Sequence, residues 1–289
     1  MRIFSSGIAF MILTIFLFSI MNALAKEFTT HYSIIQIVWA RYLSQTILTT
    51  LIFLPNIRDT VKTQNIKLHL FRSLLLFGAT ISMFSGFKYL SLISTITIFQ
   101  IGPLIIVIFS VIFLKENVGY RRWLSVIIGF SGTLFILKPG TTMFAISGFF
   151  PILAAICYAG YAVSTRRLGT NEDPKTNFFY TSLVGTIISS IILIPFFEPI
   201  LLKDLALFSI LGVIGGLGHF CFVIALQKSE ASILAPFTYF DLIFATILGI
   251  IFFSEYPDTY VIIGASIIVS AGIYTWYREK LQKTEGKFN

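Results

Sequence analysis

Residues Ile101–Glu116 read IGPLIIVIFSVIFLKE, and a shift of 139 positions lays them over Phe240–Glu255, FDLIFATILGIIFFSE. Each stretch is an apolar run that closes on an acid, with Phe113-Leu114-Lys115-Glu116 standing over Phe252-Phe253-Ser254-Glu255. A further apolar span follows each acid and ends near Gly132 in one case and near Gly272 in the other. Neither run alternates with the period of two that a barrel strand requires, and each is about twice the length of one. Helices are the remaining way to bury such a backbone in hydrocarbon.

The pattern extends outward from these stretches over most of the chain. Gly7–Lys26 resembles Gly148–Arg167: a glycine, an apolar span, a patch of small residues and a basic end. The second span of each half ends in proline, Pro55 and Pro195. Ten spans are expected: Ile3–Ala25, Ile34–Pro55, His69–Leu90, Ile93–Phe113, Arg122–Leu137, Ser147–Thr165, Asn177–Phe197, Leu207–Leu226, Ser232–Phe253 and Asp258–Tyr277. Most reach the length of about 20 residues that a bilayer core about 30 Å thick demands. The composition agrees: 56% of the 289 residues are hydrophobic and only 12% charged, about half the charged share of a soluble domain. Five spans per half is an odd number, so the second half must enter the membrane inverted, with the two halves related by a pseudo-two-fold axis in the membrane plane. The expected organisation is a first five-helix repeat over residues 1–140, a second over 147–277 and a basic tail over 278–289.

Lys and Arg set the orientation. With the N-terminus in the cytoplasm, sixteen basic residues fall on the inner side and four on the outer, with Arg41 inside a span. The basic excess belongs in the cytoplasm, which places both termini there. The net charge of +8 therefore reflects membrane topology and not nucleic-acid binding. The first apolar segment has no small-residue cleavage site and is expected to remain as a helix. Cys157 and Cys221 have no partner nearby in sequence, and His31, His69 and His219 lack metal-ligand spacing, so neither a disulfide framework nor a metal site is expected. No cofactor is expected.

At the run Phe113–Glu116, the Arg122-Trp123 start of the next span, Ser131-Gly132 and the counterpart from Glu255 to Gly272, the chain resembles the drug/metabolite transporter superfamily, in particular its two-repeat EamA-type members. The resemblance covers about Gly7–Leu137 and Gly148–Tyr277. It implies an all-helical protein of ten transmembrane helices, a bacterial inner membrane and secondary transport of a small organic metabolite. Relatives carry amino acids, vitamins, nucleotide-like metabolites and drugs; some import S-adenosylmethionine or riboflavin, and others export.

Charges at mid-bilayer cost at least about 2.5–3.5 kcal/mol, so they are read first as functional. Asp241 lies near the middle of the ninth span and Arg41 seven residues into the second. They are expected to line a central cavity, pair when it is empty and hand their charges to a zwitterionic substrate; the competing reading is a permanent ion pair joining the halves. Asp241 is also a place for a coupling proton, exchange with another solute being the other energy source. Asn22, Gln45, Gln100 and His219 form a second polar tier, open to the plainer reading of interhelical hydrogen bonds. Gln100 precedes Pro103, which breaks the fourth helix and frees backbone carbonyls. His219 follows Gly212, Gly215, Gly216 and Gly218, a row suited to close helix packing. Trp39, Tyr158 and Tyr161 are placed to stack on a ring or a cation. Trp123, Trp276 and Tyr277 read as interfacial anchors, and Glu116 and Glu255 as interfacial structural residues, Glu116 beside Arg121 or Arg122.

No G-x-x-x-x-G-K-[ST] stretch is present to bind ATP. Nor is there a nucleophile with its base, or a ligand cluster, of the kind a membrane enzyme needs. A secondary carrier working by alternating access, as monomer or homodimer, is the leading reading. Its weakly favoured substrate is amino-acid-like, such as S-adenosylmethionine, because such a solute satisfies both Arg41 and Asp241. Riboflavin uptake, export of amino acids or drugs, a membrane-embedded enzyme and a non-transporting receptor are the alternatives.

Overall fold

The computed structural model describes residues 2–115, 120–137, 147–168, 172–228 and 234–285. The described residues are helical throughout: α1 (Arg2–Phe28), α2 (Ile34–Phe53), α3 (Ile57–Val61), α4 (Ile66–Tyr89), α5 (Leu92–Phe99), α6 (Gly102–Leu114), α7 (Tyr120–Leu137), α8 (Phe149–Leu168), α9 (Pro174–Leu193), α10 (Leu202–Lys228), α11 (Phe240–Phe253) and α12 (Thr259–Glu285). Seven stretches among them are long and apolar enough to cross a membrane, and three shorter apolar helices lie at Val126–Leu137, Phe237–Phe253 and Thr259–Tyr274. The protein is a multi-pass helical membrane protein. Each of the ten expected spans overlaps one of these segments, but only seven of the segments reach full spanning length. One reason is visible in the ninth, where a 3-10 turn over Ala235–Tyr239 interrupts the chain before α11 begins.

Hydrocarbon offers no hydrogen bonds, so polar groups are satisfied inside the bundle. Thr14, Thr49, Ser73, Thr80, Thr181 and Ser189 each donate their hydroxyl to the carbonyl four residues back on their own helix. Large apolar side chains such as Leu51, Ile127, Ile191 and Phe252 point outward, as a lipid-facing surface should.

The packing is symmetric in pairs. α1 lies on α10 as α8 lies on α4, and α1 touches α11 as α8 touches α6. α2 packs on α9, and α7 on α12. Both of these self-corresponding pairs run antiparallel. At one end of the α2–α9 pair, Gln36 at the start of α2 exchanges two hydrogen bonds with the backbone of Glu198, beyond the end of α9 (2.7 and 3.0 Å). At the other end Glu172, before α9, accepts from Thr63 (2.7 Å) and Asn65 (3.1 Å), beyond α2. In the α7–α12 pair, Gly132 and Gly264 meet backbone to backbone. The repeat extends to local geometry. Lys115 and Ser254, 139 positions apart, are the described non-glycine residues with positive φ (55° and 52°), and each ends its helix in the left-handed conformation.

The glycine row of α10 does what its spacing suggests. A Cβ at Gly212 would lie 2.3 Å from the Ser44 Cβ and 2.8 Å from the Arg41 carbonyl, and at Gly215 one would crowd the Met21 sulfur at 2.7 Å. These contacts draw α2 and α10 together around Arg41.

Two expectations for charged residues need comment. Arg72, near the start of the expected span His69–Leu90 and one of the sixteen cations counted on the inner side, is fully buried six residues into α4. Without it, fifteen of the sixteen inner cations counted in the sequence remain against four outer ones. Glu116 lies outside the described residues, as do the side chains of Arg121 and Arg122.

Overpacking of this kind costs about 1–3 kcal/mol. Gly212→Ala is therefore expected to lower the thermal unfolding midpoint of the detergent-solubilised protein. A second outcome concerns Glu172: burial pushes its carboxyl up, but hydrogen bonds from Thr63, Asn65 and His69 outweigh this and hold it below its usual range. A carboxylate lowered on folding stabilises above its unfolded value, about 4.5, and that contribution fades as pH falls through the folded one. Glu172→Gln should lower stability at neutral pH and flatten the acid limb of the stability–pH curve, leaving stability at the acid end little changed.

Candidate functional site

Arg41 sits mid-way along α2, 3% exposed. Its Nη1 donates to Thr80 Oγ1 of α4 (2.5 Å) and its Nη2 to His219 Nε2 of α10 (3.2 Å). Arginine can only donate, so His219 accepts at Nε2 and carries its proton on Nδ1. Thr80 also meets the Tyr42 hydroxyl at 3.0 Å, and the guanidinium lies 4.9 Å from the Tyr42 ring centre. Phe18 presents itself edge-on to His219 at 4.9 Å. Among the described residues the Arg41 Nε has no partner, and one turn along α2 the buried Gln45 leaves its Oε1 unpaired as well. An unmade buried donor or acceptor costs about 1–3 kcal/mol, so both atoms mark places where a polar ligand is favoured.

Asp241 stands in the first turn of α11, directly after the 3-10 turn. Its Oδ1 lies 2.7 Å from Ser19 Oγ of α1, and that hydroxyl is also 2.9 Å from the Ile15 carbonyl. One hydroxyl has one proton to give. Ionised, Asp241 takes it; protonated, Asp241 donates to Ser19, which then donates to Ile15. The geometry accommodates both states. Nearby, Gln100 occupies the break between α5 and α6 and donates from Nε2 to the Thr238 carbonyl at 2.9 Å. The interruption of one broken span thus meets the interruption of the other. Tyr158 of α8 packs edge-on to Phe99 (5.5 Å) and beside Tyr161 (6.1 Å). Among the described residues its hydroxyl has no hydrogen-bond partner, and it lies within electrostatic reach of Asp241. Asn22 lies three residues from Ser19 on the same face of α1, is buried, and has no side-chain hydrogen bond to a described residue.

The expected pairing of Arg41 with Asp241 is not made. Arg41 bonds Thr80 and His219, while Asp241 bonds Ser19. Sequence position gives the depth of a residue in the membrane and not its lateral place. α2 packs on α4, α9 and α10, whereas α11 packs on α1 and α5. The structure brings Arg41 to His219, and Asp241 into the neighbourhood of Gln100 and Tyr158. It sends Trp39 elsewhere, its indole N–H donating to Ser190 of α9 at 3.0 Å.

Several buried residues of the site escaped the sequence reading: Ser19, Thr80 and above all Arg72. Arg72 donates to Thr165 (3.1 Å), to the carbonyl and side chain of Asn177 (3.0 and 3.3 Å) and to Tyr161 (3.1 Å), whose ring also lies under the guanidinium. Its signal was position inside an apolar helix, masked by its nearness to the end. Arg41, Arg72 and Asp241 together leave the interior one positive charge in surplus. A cavity of about 140 Å³ opens at the start of α9, lined by Phe53, Asp173, Lys175, Phe178 and Phe220 among others. Phe178 reaches from it to the His219 ring, 6.4 Å away.

Residues 5–138 and 145–277 match the EamA-like transporter family. The chain belongs to that family. It is therefore a membrane transporter of the drug/metabolite transporter superfamily, as the paired packing of its helices suggests. It is 28% identical over 285 residues to an S-adenosylmethionine uptake transporter of Rickettsia bellii, covering 97% of this chain and 96% of the relative. It is 27% identical to a pseudopaline exporter of Pseudomonas aeruginosa (93% and 95% covered) and 26% identical to a riboflavin transporter of Vibrio cholerae (93% and 92% covered). One crystal structure shares the fold with a TM-score of 0.67 at 17% identity, covering 93% of this chain and 96% of that one.

Replacing Thr80 by valine removes an acceptor from buried Arg41 while keeping the volume. The unpaired guanidinium nitrogen should destabilise the protein by about 1–3 kcal/mol, read as a lower thermal midpoint, and Thr80→Ser should restore it.

Proposed function

We propose that this transporter is a ten-span, inverted-repeat secondary carrier with both termini in the cytoplasm, taking up an amino-acid-like solute of the S-adenosylmethionine class. The observation that carries the proposal is that Arg41 and Asp241 lie in separate clusters and neutralise nothing in each other. Each buried charge is left to a ligand group of opposite sign. A solute with a carboxylate at one end and a cationic centre at the other fits such an arrangement: the carboxylate toward the Arg41 Nε and His219, the cation toward Asp241 and the Tyr158 ring. S-adenosylmethionine has a carboxylate, an ammonium and a sulfonium. The relatives named for its uptake match nearly the whole chain.

The inverted arrangement is supported by the antiparallel α2–α9 and α7–α12 pairs and by the matched ends at Lys115 and Ser254. Two similar bundles around one central site support rocking between an inward and an outward state. The site residues are packed shut here, with Asn22, Arg41, Gln100 and His219 all buried. The Asp241–Ser19–Ile15 chain suits a carboxyl that takes up and gives back a proton, and so a proton-coupled cycle.

Counterflow into proteoliposomes preloaded with unlabelled solute tests this reading. Labelled S-adenosylmethionine should show trans-stimulated uptake, and Arg41→Ala or Asp241→Asn should each reduce it at least about tenfold, equivalent to about 1.4 kcal/mol of lost interaction. Wild-type rates in both variants would sink the site. Flux of riboflavin alone would replace the substrate.

A further inference from the structure

At the end of the bundle opposite the termini, one ion pair joins three chain segments. Lys26, in the last turn of α1, lies 2.6 Å from Glu255 Oε1 and donates to the Leu90 carbonyl at 3.0 Å. The other oxygen of Glu255 accepts from the Leu92 backbone N–H at 2.7 Å. Leu92 is the first residue of α5, so a carboxylate caps the N-terminus of that helix, where the helix dipole favours negative charge. The left-handed conformation of Ser254 turns the chain so that Glu255 N–H reaches the Gly249 carbonyl and its side chain faces α5. A Cβ at Gly249 would lie 2.9 Å from Ile93. The absent side chain there lets α5 lie close against α11.

The helix held in this way is not an ordinary one. α5 has eight residues, is almost wholly buried, and ends at the Gln100 break before Pro103. One end is therefore a hinge beside the site and the other is held by the ion pair. Between these two ends α5 lies packed against α8 and α11. The two side chains of the pair are 13% and 18% exposed, so water reaches them when the contact breaks. Lys26 also shares a face of α1 with Ser19 and Asn22 at helical spacing, so the ion pair and the Asp241 cluster are mechanically joined.

We propose that Lys26 and Glu255 are positioning residues of the transport cycle, holding the half-helix α5 shut over the site on the side opposite the termini. Breaking the pair frees α5 to swing at Gln100–Pro103 and admit solute from that side. The inference rests on the alternating-access reading above. Its test does not use the substrate, so the two can fail separately.

The full chain, with Cys157→Ser, Cys221→Ser and Thr97→Cys, is placed in right-side-out and inside-out vesicles. A membrane-impermeant maleimide is then added to one side at a time. Thr97 is buried in α5 and should label slowly in the parent. Glu255→Gln should raise labelling several-fold from the side opposite the termini only. Glu255→Asp, which keeps a carboxylate for Lys26 and the Leu92 N–H, should label more nearly as the parent does, and Lys26→Met should raise labelling from the same side as Glu255→Gln, which a general loosening of the fold would not do. Unchanged labelling in Glu255→Gln overturns the proposal, as does an equal rise from both sides.

Discussion

Two arginines and an aspartate sit in an environment that has no water to solvate them, and much of the site's architecture follows from how each is accommodated. Arg72 is fully spent, all of its nitrogens directed to hydroxyl, amide or carbonyl oxygens on α8 and α9. Arg41 is held by one threonine and one histidine with a nitrogen left over. Asp241 has a single serine. A gradient of satisfaction of this kind separates structure from function. A buried charge with a full set of partners has no reason to meet a ligand, whereas a partly paired one gains by doing so.

Close helix approach makes these arrangements possible. Gly212 and Gly215 let α10 reach α2 at the level of Arg41, so that His219 comes within hydrogen-bonding distance. Gly185 does the same for α9 against the Tyr42 ring, and Gly132 with Gly264 joins α7 to α12. In lipid, association comes from packing and hydrogen bonds because hydrocarbon gives apolar faces no reason to seek each other. Glycine serves both: it brings backbones together and so brings polar side chains within reach.

The two broken spans add a different element. An unbroken helix satisfies its own backbone and presents a closed surface. Interrupting it beside Gln100 and again at Ala235–Tyr239 releases carbonyls at the centre of the bundle, one of which Gln100 takes up. The interruption also divides the fourth span into two rigid pieces, which a continuous helix would not allow.

The sequence by itself determined the membrane class, the helical content and the internal repeat, because hydrophobic run length, charge distribution and a 139-residue self-similarity are all one-dimensional properties. It singled out Arg41, Asp241, Gln100 and His219 for the same reason: a polar residue within an apolar run is visible without a structure. Only the tertiary structure decided which of these meet. Residue number puts Arg41 and Asp241 at similar depth along the membrane normal but says nothing of lateral place, and the structure bonds Arg41 to α4 and α10 and Asp241 to α1. Arg72 was counted among the inner cations because nearness to a span's end does not reveal whether a side chain turns to water or to a neighbouring helix. Ser19 and Thr80 gain their meaning only from the charges that folding places beside them.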